Sequence, residues 1–174
     1  MVRRCLAENI EPYVKVISKN MVRTEILEIW QKFIQDGIDI VRIKALEILP
    51  IVAKFFKKDE MYEKFVKYVK IVDKDKNAWR IRYSLVEAWA SVLDDLEKET
   101  LKKDVVESFE ELLKDAEHEV RSIAILKLPT LAQKLSPAQN TTVFLPHFEK
   151  LSKDASQHVR QAVVEALLPF LTTI

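Results

Sequence analysis

Five arginines follow a valine or an isoleucine at nearly equal spacing, and four aspartates recur with the same period. The arginines are Arg3, Arg42, Arg82, Arg121 and Arg160, and the aspartates are Asp36, Asp75, Asp115 and Asp154. A guanidinium is planar and binds a carboxylate or a phosphate through paired hydrogen bonds. We interpret the two sets as a structural ladder, in which each arginine pairs with an aspartate of its own or the next repeat. A basic stripe that binds phosphates or acidic partners is the alternative.

Other residues that could do chemistry are few, and their spacing does not favour catalysis. His118 and His158 stand one repeat apart, but no third ligand is spaced to join them, so we expect no metal site. The single glycine, Gly37, excludes glycine-rich phosphate loops and the GxSxG turn of a serine hydrolase. We therefore predict a protein that is not an enzyme and has no cofactor.

Composition narrows the classes of partner. The 174 residues include 28 Lys and Arg against 27 Asp and Glu, which gives a net charge of +1 and argues against a basic nucleic-acid module. No apolar run is long enough to cross a membrane. The lone Cys5 cannot form an internal disulfide, which suits a reducing compartment. We expect a cytoplasmic protein, and the sequence leaves a nuclear pool open.

The apolar residues indicate the elements that must position these groups. Counted from the Val or Ile before each arginine as zero, positions 0, 4, 8, 11 and 15 are apolar in all five copies. This spacing follows one face of an α-helix. A second helical face lies 3, 6 and 10 residues before each aspartate. At position 8 we expect equivalent buried places for Leu49, Trp89, Leu128 and Leu167.

The sequence therefore predicts an all-α fold, an α-solenoid in which antiparallel helical hairpins stack into a superhelix, because one hairpin cannot bury both of its faces. The predicted helices are 1–18, 21–35, 39–56, 60–73, 79–97, 101–114, 118–134, 138–152 and 157–172. One array covers 1–174: residues 1–18 are the second helix of a truncated repeat, and 21–56, 60–97, 101–134 and 138–174 are complete repeats.

Two further features of the pattern concern the helices and the chain ends. Four prolines fall inside the second helices of the hairpins, and we expect a bend at each rather than a break. They are Pro12, Pro50, Pro129 and Pro169. Neither end has the polar outer face of a capping repeat, so we expect a piece of a longer array.

The phrase Asp-x4-Val-Arg at the turn of a 39-residue helical hairpin resembles the HEAT repeat. The resemblance is closest to the HEAT-repeat scaffold (A) subunits of protein phosphatase 2A. It is carried in order by MVRRCLAENI, DGIDIVRIKALEILPIVA, DKNAWRIRYSLVEAW, LLKDAEHEVRSIAILKL and LSKDASQHVRQAV. By this resemblance the chain covers the middle of such a scaffold, from the second half of the fifth repeat through the ninth.

This resemblance implies a non-catalytic scaffold of a phosphatase holoenzyme. A regulatory (B-type) subunit would bind the ridge formed by the intra-repeat turns, which are the turns between the two helices of each hairpin. The catalytic subunit would bind repeats outside this chain. The alternative is a HEAT-repeat module of another system, either a protein phosphatase 4 scaffold or a transport receptor.

Candidate contact residues lie at these turns. Trp79 and Arg80 lie off the apolar columns, and tryptophan and arginine are common interface anchors; the alternative is that Trp79 folds back over its own hairpin. The resemblance adds Met1, Arg4, Glu117, His118, Gln157 and His158, each of which is otherwise a solvated turn residue. Gly37 and Ile38 depart from the polar turn of the family.

Overall fold

The computed structural model describes residues 2–73 and 78–174, with only the backbone of Asp73, and it is all-α over those residues. Met1 and Asp75, two of the predicted site residues, lie outside the described residues. Odd-numbered helices are single α-helices: α1 Val2–Val16, α3 Asp39–Ala53, α5 Trp79–Val92, α7 His118–Ala132 and α9 Gln157–Leu171. A 3₁₀ turn, Leu93–Asp95, follows α5.

The even-numbered helices each contain a π-helical turn near their start. They are α2 (Lys19–Met21, π turn Val22–Ile26, Leu27–Phe33), α4 (Lys58–Met61, π turn Tyr62–Val66, Lys67–Asp73), α6 (Lys98–Thr100, π turn Leu101–Val105, Val106–Leu112) and α8 (Pro137–Gln139, π turn Asn140–Phe144, Leu145–Leu151). The sequence pattern did not predict these turns, because apolar spacing reports which face is buried and not whether a helix bonds to i+4 or i+5.

The chain divides into two compact units, Met1–Thr100 and Leu101–Ile174, and the boundary falls inside α6. The prediction of a single array over 1–174 therefore stays a prediction. Within each unit the helices follow the predicted order, and they end one to three residues earlier at most C-termini. Each of the four prolines predicted to lie inside a helix does lie inside a continuous helix.

Aromatic side chains fill the core of each unit. In the first unit the indole Nε1 of Trp30 donates a hydrogen bond to the Ala45 carbonyl at 2.8 Å, so the buried ring has its polar atom satisfied. Trp30 also packs edge to face on Phe65, with ring centroids 5.0 Å apart. In the second unit Phe148 stacks on Phe170 at 4.4 Å. The Trp30–Ala45 and Phe148–Phe170 contacts each join the two helices of one hairpin, and the Trp30–Phe65 contact joins the first helices of neighbouring hairpins.

The expectation of equivalent burial at position 8 is correct for three residues and wrong for Leu167. Leu49, Trp89 and Leu128 are at most 1% exposed, whereas Leu167 is 38% exposed. Leu167 lies on α9, the last helix of the chain, so no later hairpin within the chain covers that side. Val2, Leu6 and Tyr13 on α1 also occupy apolar columns and are exposed, because no earlier hairpin within the chain covers that side of the first helix.

Each described turn aspartate closes its own turn through the backbone. Asp36 Oδ1 accepts a hydrogen bond from the Ile38 amide at 2.9 Å. Asp115 Oδ1 accepts one from the Glu117 amide, also at 2.9 Å. In the last turn Asp154 Oδ1 accepts one from the Ser156 amide at 2.9 Å. The side chain replaces the backbone acceptor that an amide at the start of a helix lacks.

Arginines from the preceding hairpin bind two of these aspartates. Arg3 Nε lies 2.7 Å from Asp36 Oδ2. Arg121 binds Asp154 with two parallel hydrogen bonds, Nε to Oδ2 at 2.8 Å and Nη2 to Oδ1 at 2.9 Å. The Arg121 and Asp154 side chains are only 16% and 10% exposed. Partial burial makes this bidentate pair stronger than an ordinary surface ion pair.

The arginines also bond to the turns of their own hairpins. Arg121 Nη1 donates to the carbonyls of Asp115 and Ala116 at 2.8 and 2.9 Å. Arg160 Nη1 donates in the same way to the carbonyls of Asp154 and Ala155, at 2.7 and 3.0 Å. Each of these arginines therefore holds the turn that precedes its own helix.

Two other arginines of the predicted ladder behave differently. Arg42 forms an ion pair with Asp39, one turn before it on α3, at 2.7 Å. Arg82 is buried in α5, at 7% exposure. Asp75, which the predicted ladder could pair with either arginine, lies outside the described residues. The pairing of Arg42 and Arg82 in the ladder therefore stays a prediction.

Removing the Asp154 carboxylate should destabilise the fold in a pH-dependent way. Hydrogen bonds from Arg121 hold the pKa of Asp154 below its ordinary value. The carboxylate therefore stabilises the fold above the unfolded-state pKa of about 4, and this stabilisation is lost as the pH falls through the lower folded-state pKa. Asp154→Asn should lower the free energy of unfolding by about 1.5–3 kcal/mol near pH 7, as measured by urea denaturation.

The difference between Asp154→Asn and the unchanged chain should shrink below about pH 4. Glu28→Gln is the matched control, because Glu28 pairs with Lys32 at 2.7 Å but both side chains are more than 60% exposed. An equal loss in the two variants would show that burial and the bidentate geometry add nothing at Asp154.

A buried asparagine joins two helix ends in the second unit. Asn140 is fully buried, and its Nδ2 donates to the Ala132 carbonyl at 2.9 Å and the Thr173 carbonyl at 3.1 Å. The corresponding residues of the other hairpins are apolar, namely Val22, Met61 and Leu101. Asn140 therefore donates to carbonyls at the C-terminal ends of both helices, at the last residue of α7 and just after α9.

Asn140→Ala should lower the free energy of unfolding by about 1–3 kcal/mol, because it removes the hydrogen bonds that the buried amide donates to the Ala132 and Thr173 carbonyls. Thermal and urea denaturation of the variant would measure the loss. Thr141→Ala, at the next and exposed residue, should change stability far less. Similar stability of the two variants would contradict a structural role for the Asn140 amide.

Candidate protein-binding surface at the intra-repeat turns

The turn before α5 presents a tryptophan and an arginine together. Ile81 and Leu85 are fully buried and fix α5 in the core. Trp79 and Arg80 begin the helix on its other sides, with Trp79 partly exposed and Arg80 exposed. The guanidinium carbon of Arg80 lies 4.5 Å from the centroid of the Trp79 ring. This cation–π contact orders both side chains and offers a partner an aromatic surface beside a positive charge.

The turn before α7 carries Glu117 and His118. Glu117 is exposed and precedes the first residue of the helix, and the His118 side chain is 40% exposed. His118 Nδ1 makes a short contact with the carboxylate of Glu119. Because an ionised carboxylate only accepts hydrogen bonds, Nδ1 of His118 carries the proton. In the neutral imidazole, Nε2 is then the atom with the lone pair.

The turn before α9 places Gln157 and His158 in solvent. The His158 ring packs edge to face against the His118 ring, with centroids 5.8 Å apart and planes at 79°. The structure therefore brings two of the candidate residues, His118 and His158, into contact from consecutive turns of the second unit. Same-phase positions in the sequence indicated neighbouring turns, but the ring contact depends on side-chain rotamers that the sequence does not report.

Other candidate residues form contacts along their own helix. Arg4 Nε bonds to Glu8 Oε1 at 2.9 Å, and both lie on the solvent side of α1. The hydrogen bond and the charge of Glu8 raise the pKa of Arg4. At the second turn Ile38 is 43% exposed, and no atom lies within 4 Å of the place that a side chain on Gly37 would occupy. This turn therefore presents an apolar surface.

Arg121 has little free donor capacity at the turns of the second unit. All three of its side-chain nitrogens donate hydrogen bonds, to Asp154 and to turn carbonyls. This geometry favours the structural interpretation of Arg121 over a phosphate-binding one. Nη1 of the exposed Arg160 also donates to turn carbonyls.

His147 is the third histidine, and it is inside the fold. It is 8% exposed, and its Nε2 lies 4.0 Å from Glu110 Oε1. Burial, with the charge of Lys114, lowers the pKa of His147, so the ring is neutral near pH 7. Over residues 2–73 and 78–174 no group of three or more His, Cys, Asp or Glu side chains is arranged to hold a metal ion.

A groove follows the exposed side of α1. Its volume is about 880 Å³, and it is lined by Val2, Cys5, Leu6, Asn9, Pro12 and Tyr13. The lining is mainly apolar because Val2, Leu6 and Tyr13 occupy columns that are buried in the other copies of the repeat. Among the described helices, none is long and apolar enough to cross a membrane.

Comparison with known proteins finds relatives among phosphatase regulatory proteins. Residues 98–169 match the PPP2R1A-like HEAT repeat. The human beta isoform of the 65 kDa regulatory (A) subunit of serine/threonine-protein phosphatase 2A is 32% identical over 75 residues, which are 41% of this chain and 12% of that protein. The human serine/threonine-protein phosphatase 4 regulatory subunit 4 is 33% identical over 72 residues, 41% of this chain and 8% of that protein.

Solved structures show the same architecture over the whole chain. The crystal structure of Cex1p covers 99% of this chain with a TM-score of 0.83 at 16% identity, and this chain covers 33% of it. An engineered protein covers 97% with a TM-score of 0.59 at 18% identity, and this chain covers 71% of it. The chain therefore has an all-α helical-repeat fold, and its residues 98–169 resemble the HEAT repeats of phosphatase regulatory subunits.

Proposed function

We propose that this chain is a non-catalytic segment of a protein phosphatase 2A scaffold and binds a regulatory subunit through its intra-repeat turns. The observation that carries the proposal is the match of residues 98–169 to the PPP2R1A-like HEAT repeat. Two of the candidate turns, with Glu117, His118, Gln157 and His158, lie inside the matched residues. The catalytic subunit would bind repeats outside this chain.

The exposed Trp79–Arg80 pair supports the proposal from the other unit. A tryptophan that packs only partly, at the first residue of a helix, leaves apolar area in water. Stacking beneath Arg80 restricts the rotamers of both side chains before any partner binds. A preordered Trp and Arg lose little conformational entropy on binding, which is a property of interface hot spots.

Different residues of each turn hold its backbone and face the solvent, and this separation also supports binding at this surface. Aspartate and arginine side chains hold the turns from inside, through Asp115, Arg121 and Asp154 in the second unit. Residues between them, such as Glu117 and Gln157, direct their side chains to solvent. A partner can therefore contact the turns without breaking the bonds that maintain them.

Replacing the Trp79–Arg80 pair should reduce binding of a regulatory subunit. Trp79→Ala with Arg80→Ala should weaken affinity for a purified phosphatase 2A regulatory subunit by at least about 10-fold, because each residue type is a frequent hot spot. Biolayer interferometry with the immobilised chain would measure the affinity. Far-UV circular dichroism and thermal melting should be nearly unchanged.

Tyr62→Ala is the matched control, since Tyr62 is a 41% exposed aromatic residue on α4, near the turn between repeats. It should bind as the unchanged chain does. Loss of helicity in the double variant would assign Trp79 and Arg80 a structural role, in which case Arg80→Glu alone tests the surface. Unchanged affinity in a folded variant would contradict the proposal.

A protein phosphatase 4 scaffold is the second candidate, and the match to regulatory subunit 4 of that phosphatase favours it. The identity and length of that match are almost equal to those of the phosphatase 2A relative. Parallel binding measurements with phosphatase 2A regulatory subunits and with the phosphatase 4 catalytic subunit would separate the two. Recovery of a small GTPase or transport cargo, with neither phosphatase, would instead favour a transport receptor.

A further inference from the structure

We propose that His118 and His158 form a binding site for one divalent transition-metal ion, such as Zn²⁺, Ni²⁺ or Cu²⁺. Each imidazole would supply one nitrogen ligand, and water would complete the coordination in place of the third protein ligand that the sequence lacks. The proposal goes beyond the proposed function and does not depend on it, because it concerns the metal ion alone.

The contact between His118 and Glu119 leaves a metal-ligating atom free. Nδ1 of His118 donates its hydrogen to the Glu119 carboxylate, so the lone pair of the neutral ring lies on Nε2. A ring nitrogen bonded to a carboxylate on one side is the usual arrangement behind a metal-ligating histidine. The carboxylate fixes the tautomer and makes the other nitrogen a better ligand. The His118 side chain is 40% exposed, so an ion can reach it.

The distance between the rings suits chelation of one ion. With metal–nitrogen bonds of about 2.0–2.1 Å, two imidazoles on a tetrahedral ion have ring centroids roughly 5 Å apart. The observed centroid separation of 5.8 Å is close to this value. His158 is exposed at the second residue of α9, so its ring can turn from the edge-to-face contact to direct a nitrogen at the ion.

Charged groups on the surrounding elements balance around the pair. Glu117 and Glu119 flank His118 on α7, and Asp115 and Asp154 lie in the two turns. The positive groups are Arg121 on α7 and Arg160 on α9, together with Lys114 and Lys153 at the ends of the preceding helices. Hydrogen bonds direct Arg121 to Asp154 and to the turn beneath the rings.

Two helix N-termini disfavour a cation at this place, because the helix dipole is positive there. The carboxylate of Glu119 offsets this effect, since it bonds directly to a ligating ring. The site should therefore select ions with a strong preference for imidazole nitrogen. The expected order of affinity is Cu²⁺ above Ni²⁺ and Zn²⁺, with little affinity for Mg²⁺ or Ca²⁺, which prefer oxygen ligands.

Isothermal titration of the chain, prepared without a histidine tag, with Ni²⁺ and with Zn²⁺ tests the proposal. One ion should bind per chain near pH 7.5, and affinity should fall as the pH is lowered, because protons compete with the ion for the ligating nitrogens. His118→Ala and His158→Ala should each weaken binding at least about 10-fold. Glu119→Gln keeps an acceptor oxygen but loses the charge, and should weaken binding by about 10-fold or more.

Gln157→Ala is the matched control, because Gln157 is an exposed neighbour of His158 and its amide is a poor ligand for these ions. It should bind the metal as the unchanged chain does. His118→Asn and His158→Asn repeat the test with side chains that preserve polarity, and circular dichroism checks that each variant is helical. Equal affinity in the unchanged chain and the folded double variant, or no measurable binding by the unchanged chain, would overturn the proposal.

Discussion

Each helix of this repeat carries apolar side chains on more than one side, and a hairpin covers only part of them by itself. Neighbouring hairpins must supply the remaining contacts, which is why burial follows position in the array. Leu49 and Leu128 are at most 1% exposed, while Leu167, at the same phase, is 38% exposed. Since an apolar side chain gains about 1.5–3 kcal/mol from full burial, this shared burial dominates the stability of each unit.

The turns are held by a small set of polar contacts that also link consecutive hairpins. Asp154 bonds to the Ser156 amide within its turn and to Arg121 from the hairpin before it. Asp36 has the same two kinds of contact, with the Ile38 amide and Arg3. One carboxylate therefore fixes both the local backbone and the position of the next hairpin, and the repeated Asp and Arg in the sequence reflect that double role.

Helix number, order and approximate bounds follow from the sequence, because burial of one face imposes a period that the residue types reveal. Bonding details do not follow. The π turns depend on backbone hydrogen bonds that the spacing of the apolar residues does not report. The repeat pattern does not indicate a role for Arg23, yet Arg23 bonds to the Phe55 carbonyl at 2.7 Å and to Glu60, and so closes a turn between repeats. The sequence offers only one arginine at this phase of the repeat, so no periodic pattern indicates the Arg23 contact. The contact between the His118 and His158 rings could not be predicted either, because it depends on side-chain rotamers.

The inward bonds of Arg121 and Arg160 have a consequence for how such a protein can diversify. Because backbone carbonyls accept these bonds, the bonds do not depend on the side chains at Ala116 and Ala155. Substitutions there can accumulate or be engineered with little penalty in folding yield. Recognition and folding therefore depend on different residues of the same short turn. A library randomised only at the turn residues whose side chains lie in solvent should retain its helices while sampling new specificities.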